Sequence, residues 1–232
     1  MNTVQKIILF FSIFVSLSGH TIERTLVPQL KADASSGLRF SVPYAAGVHK
    51  GTASRVDGIL VMDETDQVSS AHFEVAIGTL STGNATRDCH MREALGLDYT
   101  HSRFPNDHVC DSDNQTPSGG PDAIVHPLIS LDFVGFEKAP ATPIAEGLLT
   151  ESTVTAQLKI HGQSKELVAL PIKILKTKDA SGLPVFKVTC RMLISLKEFN
   201  VIVKPFTFGP IKIGVDDKVT VDLDLTLAEK KQ

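Results

Sequence analysis

The chain has 232 residues, of which 42% are hydrophobic and 21% are charged, with a formal net charge of −3. This is the composition of an ordinary globular protein with enough apolar residues to build a core. The weak negative charge gives no attraction for nucleic acid, and the lack of Trp with only two Tyr leaves few rings on which bases could stack. We therefore expect no nucleic-acid partner.

Residues 1–20 predict a secretory signal peptide. Lys6 supplies a positive start, Ile7–Leu17 is an almost unbroken apolar run, and small residues follow it. The run is shorter than the roughly 20 apolar residues that span a bilayer, and an uncleaved N-terminal anchor is the alternative. We expect residues 21–232 to form one exported domain, periplasmic or secreted, without stable membrane insertion.

The rest of the chain is dominated by alternation of apolar and polar residues, which indicates β-strands with one buried face. Eight such segments can close into a barrel, and one-sided alternation is typical of antiparallel sheets. The sequence therefore predicts an all-β, eight-stranded antiparallel barrel. The alternating segments are Leu38–Val42, Thr52–Val61, Phe73–Ile77, Ile129–Phe133, Val154–Ile160, Val168–Ile174, Val188–Leu196 and Val219–Leu227.

Two segments interrupt the strands. Arg87–Leu95 predicts a short helix, with Asn84 or Thr86 as its cap and Gly96 as its stop. Asn106–Pro121 is rich in Asp, Ser, Gly and Pro, and predicts one long loop insertion at the surface. The absence of a βαβ rhythm excludes a doubly wound nucleotide-binding fold.

The three cysteines are Cys89, Cys110 and Cys190. An oxidising compartment permits a Cys89–Cys110 disulfide, which would close a loop of about 20 residues and contribute roughly 3 kcal/mol. Three reduced thiols are the alternative. His101 and His108 lie nearby, but the close ligand pairs of zinc sites do not occur. We therefore predict no metal site and no cofactor.

Catalytic signatures are missing. The chain contains no Gly-x-Ser-x-Gly, His-Glu-x-x-His, Cys-x-x-Cys or Walker A sequence. We therefore predict that the protein is not an enzyme. The alternative is a metal-dependent enzyme that uses the loop region from Cys89 to Cys110.

The strongest motif of the chain lies within Thr79–Pro105. It consists of Thr-Gly-Asn, then Arg-Asp, His and a hydrophobic residue at fixed spacing, and later an aromatic residue followed by Pro. This pattern resembles the signature of the YceI-like polyisoprenoid-binding family. The flanks Gly37–Val42, Leu158–Lys165, Ser195–Asn200 and Val219–Leu227 are similar to other segments of that family. The matching signature residues are Thr82, Gly83, Asn84, Arg87, Asp88, His90, Met91, Phe104 and Pro105.

The resemblance implies a lipocalin-like barrel that binds or carries a long-chain isoprenoid or similar fatty amphiphile in an apolar tunnel, without chemistry. Residue types alone support a tunnel and a solid core equally. A structural or stress-protective envelope protein with a filled barrel is therefore the alternative, and a homodimer is allowed. The expected tunnel residues are Phe40, Val42, Phe73, Val75, Ile77, Phe133, Ala156, Leu158, Ile160, Met192 and Ile194.

Arg87, Asp88 and His90 have two interpretations. They could contact a lipid head group at the mouth of the barrel. They could instead fasten the short helix to the sheet by a salt bridge and capping hydrogen bonds, which is the more common use of polar residues at helix starts.

Overall fold

The structure is a computed structural model. It describes residues 23–29, 37–106, 110, 117, 119–138, 143–203, 206–208 and 211–230. The predicted signal peptide, residues 1–20, and most of the predicted loop insertion lie outside the described residues. Within the described ranges, no helix has both the length and the apolar character needed to cross a membrane.

Strands dominate the chain, as the alternation predicts. Among the described residues, one α-helix, α1 (Ala85–Gly96), and two 3-10 helices, Ile77–Thr79 and Leu196–Phe199, interrupt them. The strands are β1 (Glu23–Pro28), β2 (Gly37–Tyr44), β3 (Gly47–Ala53), β4 (Asp57–Asp63), β5 (Val68–Ala76), β6 (Leu80–Ser81), β7 (Leu128–Lys138), β8 (Leu149–Ile160), β9 (Gln163–Lys178), β10 (Pro184–Ser195), β11 (Phe206–Phe208), β12 (Ile211–Ile213) and β13 (Lys218–Glu229).

Eight strands form a closed antiparallel ring in the order β1, β4, β5, β7, β8, β9, β10 and β13. The ring closes because β1 pairs with the end of β13, where Leu26 lies opposite Glu229. The first half of β13 pairs with β2 instead, with Ser41 opposite Thr220. β3 continues from β2 and pairs with β6. The predicted all-β, eight-stranded antiparallel barrel with one helix is confirmed.

Two strand assignments from the sequence are wrong. Thr52–Val61 contains parts of both β3 and β4, which are separated where the chain turns at residues 54–56. The alternation also missed β1, because in this short strand only Leu26 is fully buried. A single buried position gives no period to recognise.

The predicted alternation is also wrong at Val168, which is 64% exposed. The backbone of Ala169 has a φ of +55°, and the pairing of β9 with β8 shifts there. As a result Leu167 and Leu170, which are three positions apart, lie opposite the buried Ala156 and Val154, which are two positions apart. An extra residue in one strand of a ladder turns the residues beyond it to the other face.

A buried ion cluster closes the end of the barrel where β4 turns into β5. The side chain of Asp66 is 3% exposed and meets Arg24 Nη2 at 2.5 Å and Lys176 Nζ at 2.7 Å. Both cations also lie over the ring of Phe186, at 6.0 and 5.7 Å from its centroid. The cluster therefore joins β1, β9 and β10 to the β4–β5 turn.

Asp66→Asn is expected to destabilise the fold by about 2–3 kcal/mol, because it leaves two half-buried cations without their counter-ion. Asn tolerates the left-handed backbone at this position, where φ is 64°. The measurement is urea unfolding. Asp57→Asn removes an exposed ion pair with Arg55 and should leave the midpoint unchanged. Equal midpoints for Asp66→Asn and wild type would contradict the role of the cluster.

Candidate functional site

The signature residues build the start of α1. The side chain of Asn84 caps the helix by accepting a hydrogen bond from the backbone N–H of Arg87 at 2.9 Å. Gly83, just before the cap, has a φ of +75°, a conformation that suits glycine. Asn84 rather than Thr86 is therefore the cap, and the helix begins two residues before the predicted Arg87.

Gly96 ends α1, but its main role is close packing. A Cβ atom there would lie 2.6 Å from Ile77 Cδ1 and 2.7 Å from Ile124 Cδ1. Both distances are too short for real atoms, so a larger residue would require the ends of these two isoleucine side chains to shift. The prediction of Gly96 as a simple stop missed this contact.

Asp88 anchors α1 to β6. Its carboxylate accepts hydrogen bonds from Ser81 Oγ at 2.8 Å, from the backbone N–H of Thr82 at 2.7 Å and from Thr82 Oγ1 at 2.6 Å. Burial by itself would raise the pKa of Asp88, but these hydrogen bonds from Thr82 and Ser81 outweigh it and hold the pKa below its usual value. These contacts agree with the interpretation that Asp88 fastens the short helix to the sheet.

Arg87 fastens the same helix to the hairpin of β2 and β3. Its Nη1 donates to His49 Nδ1 at 3.0 Å, and the His49 ring stacks on Tyr44 with centroids 4.0 Å apart. Burial, and then the charge of Arg87, lower the pKa of His49, so the imidazole is a neutral acceptor. The salt bridge expected of Arg87 is thus a hydrogen bond to a neutral ring.

The predicted Cys89–Cys110 disulfide is present, with Cα atoms 6.1 Å apart, and Cys190 is a free, buried cysteine. The structure adds Glu93, a residue that the sequence analysis missed and whose side chain is 0% exposed. Glu93 Oε1 accepts from the backbone N–H of Cys110 at 3.0 Å, and Glu93 Oε2 lies 2.9 Å from His90 Nδ1. The signal available in the sequence was its spacing of four residues from Cys89 on the helix.

The other histidines of this region are arranged differently. His101 Nδ1 lies 2.6 Å from a carboxylate oxygen of Asp98 and does not join the residues around the disulfide, His90 and Glu93. His108 lies outside the described residues. The sequence grouped these histidines with the cysteines by proximity along the chain, and the turn at Asp98 separates His101 from them.

An aromatic group packs behind the end of α1, at the turn between β8 and β9. The centroid of the Tyr99 ring lies 4.4 Å from that of His161 and 5.0 Å from that of Phe104. The Tyr99 hydroxyl donates a hydrogen bond to the carbonyl oxygen of Ala94. Burial raises the pKa of Tyr99 to about 12, so the phenol keeps its proton. His161 Nε2 lies 2.8 Å from the carbonyl oxygen of Leu97 and holds the helix end to the barrel.

The residues expected to line a tunnel belong to the hydrophobic core or pack against it, most of them on strands of the ring, with Phe40 and Val42 on β2 and Ile77 in a 3-10 helix. Ten of the eleven are buried, from 0% exposed at Ala156 to 9% at Phe40, and Val42 is half-buried. The rings of Phe73 and Phe133 meet edge to face at 6.0 Å. Exposure this low means that the side chains touch one another rather than border a water-filled channel. Their role as ligand contacts stays a prediction.

The wall of the barrel has a seam between β9 and β10. Their pairing runs only from Lys178 opposite Pro184 to Ile172 opposite Cys190. Beyond that point the residues of β9 from Gln163 to Pro171 pair only with β8, and those of β10 from Arg191 to Ser195 pair only with β13. Pro171, which has no N–H to donate, stands where the pairing stops.

Two adjoining grooves, of about 360 and 200 Å³, lie along this seam. Their apolar lining comes partly from the edge of the interior and partly from exposed residues of the outer face, and their charged residues are exposed. The seam is therefore amphipathic. The charged residues are Glu166, Arg191, Glu198 and Lys218, and the apolar ones are Leu167, Leu170, Met192, Ile194 and Phe199 at the edge of the interior together with the exposed Val168, Ala169, Pro171 and Leu193.

Thiol counting tests the disulfide. Denatured, unreduced protein should show one reactive thiol per chain, Cys190, and Cys190→Ser should show none. In the folded protein that thiol should react slowly, because burial, with Asp222 nearby, raises the pKa of Cys190 to about 12. Three reactive thiols without reduction would contradict the bridge.

Asp88→Asn tests the anchor of α1. At pH 7 the variant should be less stable by about 1–3 kcal/mol, because a buried acceptor of several donors is replaced by an amide. The folded-state pKa of Asp88 is depressed, so its stabilisation is present above the unfolded pKa of about 3.9 and is lost as the pH falls through the lower folded value. The difference between variant and wild type in urea unfolding should therefore shrink below about pH 4. A difference unchanged at lower pH would contradict it.

Comparison with known proteins bears on the same architecture. A family model described as the YceI-like domain matches residues 30–227. No curated protein matches the sequence. The fold is similar to a polyisoprenoid binding domain from Saccharophagus degradans, with a TM-score of 0.55 and 11% identity over 89% of this chain and 99% of that one. It is also similar to the YceI protein of Campylobacter jejuni, with a TM-score of 0.52 and 16% identity over 79% of this chain and 86% of that one. The barrel, the capped helix and the family match together show that the chain belongs to the YceI-like domain family.

Proposed function

We propose that this protein binds a long isoprenoid or similar fatty amphiphile, with the tail inserted into the barrel through the seam between β9 and β10. The protein carries the lipid without chemical change. An exported location, periplasmic or secreted, is part of the proposal and rests on the apolar run Ile7–Leu17.

The missing ladder between β9 and β10 is the observation that carries the proposal. The interior is closed to solvent, so a tail that enters through the wall of the barrel does so only where two strands separate. Separating paired strands costs about 1 kcal/mol for each ladder hydrogen bond that is lost. Between residues 163–171 of β9 and 191–195 of β10 there are no such bonds to break. The free energy needed to separate two strands of the barrel is therefore lowest along the part of the wall that already has an apolar groove.

The chemistry of the interior suits an alkyl or prenyl tail. At about 0.8 kcal/mol for each buried methylene, a tail of about 15 carbons gains about 12 kcal/mol before the costs of ordering and association. A single hydrogen bond to a head group contributes about 1 kcal/mol. The tail therefore dominates affinity, and the charged rim of the seam, with Arg191 and Lys218, selects the head group.

The relatives support the same class of ligand. The similar domain from Saccharophagus degradans is described as polyisoprenoid binding, and it shares the fold across nearly its whole length. This chain shares the family match over residues 30–227. A family of binding proteins also fits the absence of catalytic motifs in this sequence.

The second candidate is a structural envelope protein with a filled barrel. The low exposure of the interior side chains favours it, since Ala156 and Val154 are 0% exposed. The two candidates differ in whether the interior near the seam yields to added volume. Ala156 is the position to probe, because it lies opposite the groove residue Leu167.

Ala156→Phe places a ring where the tail would lie. We expect wild type purified from its own host to carry lipid, detected by native mass spectrometry, and the variant to carry none. We expect the strands at the seam to move apart and accommodate the phenyl ring. The loss of stability should therefore stay below the ~1–3 kcal/mol of an overpacked core. Lys159→Phe, which adds the same ring on the exposed face of β8, should keep both lipid and stability.

A wild type without lipid, together with an Ala156→Phe variant that unfolds, would show a solid barrel and support the structural candidate. Lipid retained by Ala156→Phe at wild-type levels would place the tail elsewhere and also contradict the proposal. Thermal unfolding and lipid extracted per mole of protein are measured on the same preparations.

A further inference from the structure

The carboxylate of Glu93 stands among nitrogen and sulfur atoms that lipid binding does not use. His90 Nδ1, a Glu93 carboxylate oxygen and Cys110 Sγ all lie within 4.8 Å of one another. The His90 nitrogen is 2.9 Å from Glu93 Oε2 and 3.4 Å from Cys110 Sγ. A carboxylate that is 0% exposed is costly to bury unless cations or donors surround it.

Cys89 is the fourth potential ligand, because its sulfur is bonded to that of Cys110. On α1, Cys89 lies four residues before Glu93 and His90 lies three before it, so each is a neighbour of Glu93 on the face of the helix that carries Glu93. Cys110 approaches this face from the loop. The four ligand types are two sulfurs, one imidazole nitrogen and one carboxylate oxygen.

We propose that these four residues form a transition-metal site that becomes available when the Cys89–Cys110 disulfide is reduced. A dithiol reductant supplies two electrons and two protons, breaks the S–S bond and becomes a disulfide itself. The two thiols then lose their protons to solvent as the metal binds them as thiolates. In the oxidised protein the sulfurs carry no charge and bind metals poorly, so the redox state controls occupancy.

The distances fit a tetrahedral site after a small movement. With metal–sulfur bonds of about 2.3 Å and metal–nitrogen bonds of about 2.0–2.1 Å, the S···N edge of a tetrahedron is about 3.5 Å. The observed separation of Cys110 Sγ from His90 Nδ1 is 3.4 Å. The two sulfurs would have to separate to about 3.8 Å. Side-chain rotation provides this, because the Cα atoms of Cys89 and Cys110 are already 6.1 Å apart.

The ligand set selects the class of metal. Two thiolates and an imidazole favour Zn²⁺ or Co²⁺ over Mg²⁺ and Ca²⁺, which prefer oxygen ligands. The buried carboxylate adds a third negative charge and thereby strengthens binding of a divalent cation. The cation also supplies positive charge beside a buried carboxylate. The metal site does not depend on the proposed lipid.

Cobalt is the probe, since its spectrum reports geometry and ligands. The full chain is reduced with a phosphine, which is oxidised to its oxide with oxygen from water, and is titrated with Co²⁺ under argon. We expect one Co²⁺ per chain, intense visible bands of a tetrahedral ion and a thiolate-to-cobalt charge-transfer band. Unreduced protein should bind Co²⁺ about 100-fold more weakly or not at all. Zn²⁺ should abolish the bands by displacement.

Two variants and two controls locate the site. His90→Ala, at a half-exposed position, and Glu93→Gln should each weaken binding by at least about 10-fold. Cys190→Ser and His101→Ala should bind Co²⁺ as wild type does, since neither residue belongs to the group. Circular dichroism of every reduced variant, with and without Zn²⁺, reports whether the barrel is retained.

Several outcomes would overturn the proposal. One is reduced protein that binds Co²⁺ no more tightly than oxidised protein, or without charge-transfer bands. Another is an unchanged affinity in His90→Ala, whose fold does not depend on a buried charge. A reduced chain that unfolds and is not restored by Zn²⁺ would overturn it as well, because the site requires α1 to be formed.

Discussion

The barrel depends on β13, because one edge of this strand is shared between two partners. Its other edge pairs with β10 over nearly its full length. On the shared edge, residues 220–224 pair with β2, and residues 227–229 pair with β1 and close the ring. Every second side chain of β13 from Val219 to Leu227 points into the core. A slip of one residue would turn that whole apolar set outward, so the register of β13 determines what the interior contains.

The division of β13 also explains why the signature residues are structural. The branch formed by β2 and β3 ends at the two-residue strand β6, a pairing too short to hold by itself. Asp88 strengthens it by accepting hydrogen bonds from Ser81 and Thr82, and Arg87 reaches His49 on β3. The motif that identifies the family therefore fastens a helix to the barrel. The apolar interior, which the motif does not include, is where ligand contacts are proposed.

The interior of the barrel is closed to solvent, but one part of its wall lacks hydrogen bonds between neighbouring strands. The end near Asp66 is held by buried ion pairs with Arg24 and Lys176, and the strands there are fully paired. The ladder between β9 and β10 stops at Ile172, so the resistance of the wall to opening is uneven. The residues around the Cys89–Cys110 disulfide obey a different constraint, because the buried carboxylate of Glu93 requires positive charge or hydrogen-bond donors nearby, whatever the barrel contains. The proposed lipid and metal sites therefore rest on separate physical grounds.

The sequence by itself determined the antiparallel strands and the capped helix, because alternation and capping residues act over short distances. It permitted the Cys89–Cys110 disulfide without excluding reduced thiols, and the closure of the ring depended on the distant pairing of β1 with β13. Val219–Leu227 is the clearest case, since its period of two required one buried face. Only the tertiary structure decided the positions of Val168 and Glu93. Val168 is exposed because one left-handed residue, Ala169, shifts the pairing of β9 with β8. Glu93 meets Cys110 because the disulfide with Cys89 holds Cys110 against α1. Both depend on which distant backbone lies opposite, and a pattern of residue types along one segment does not contain that information.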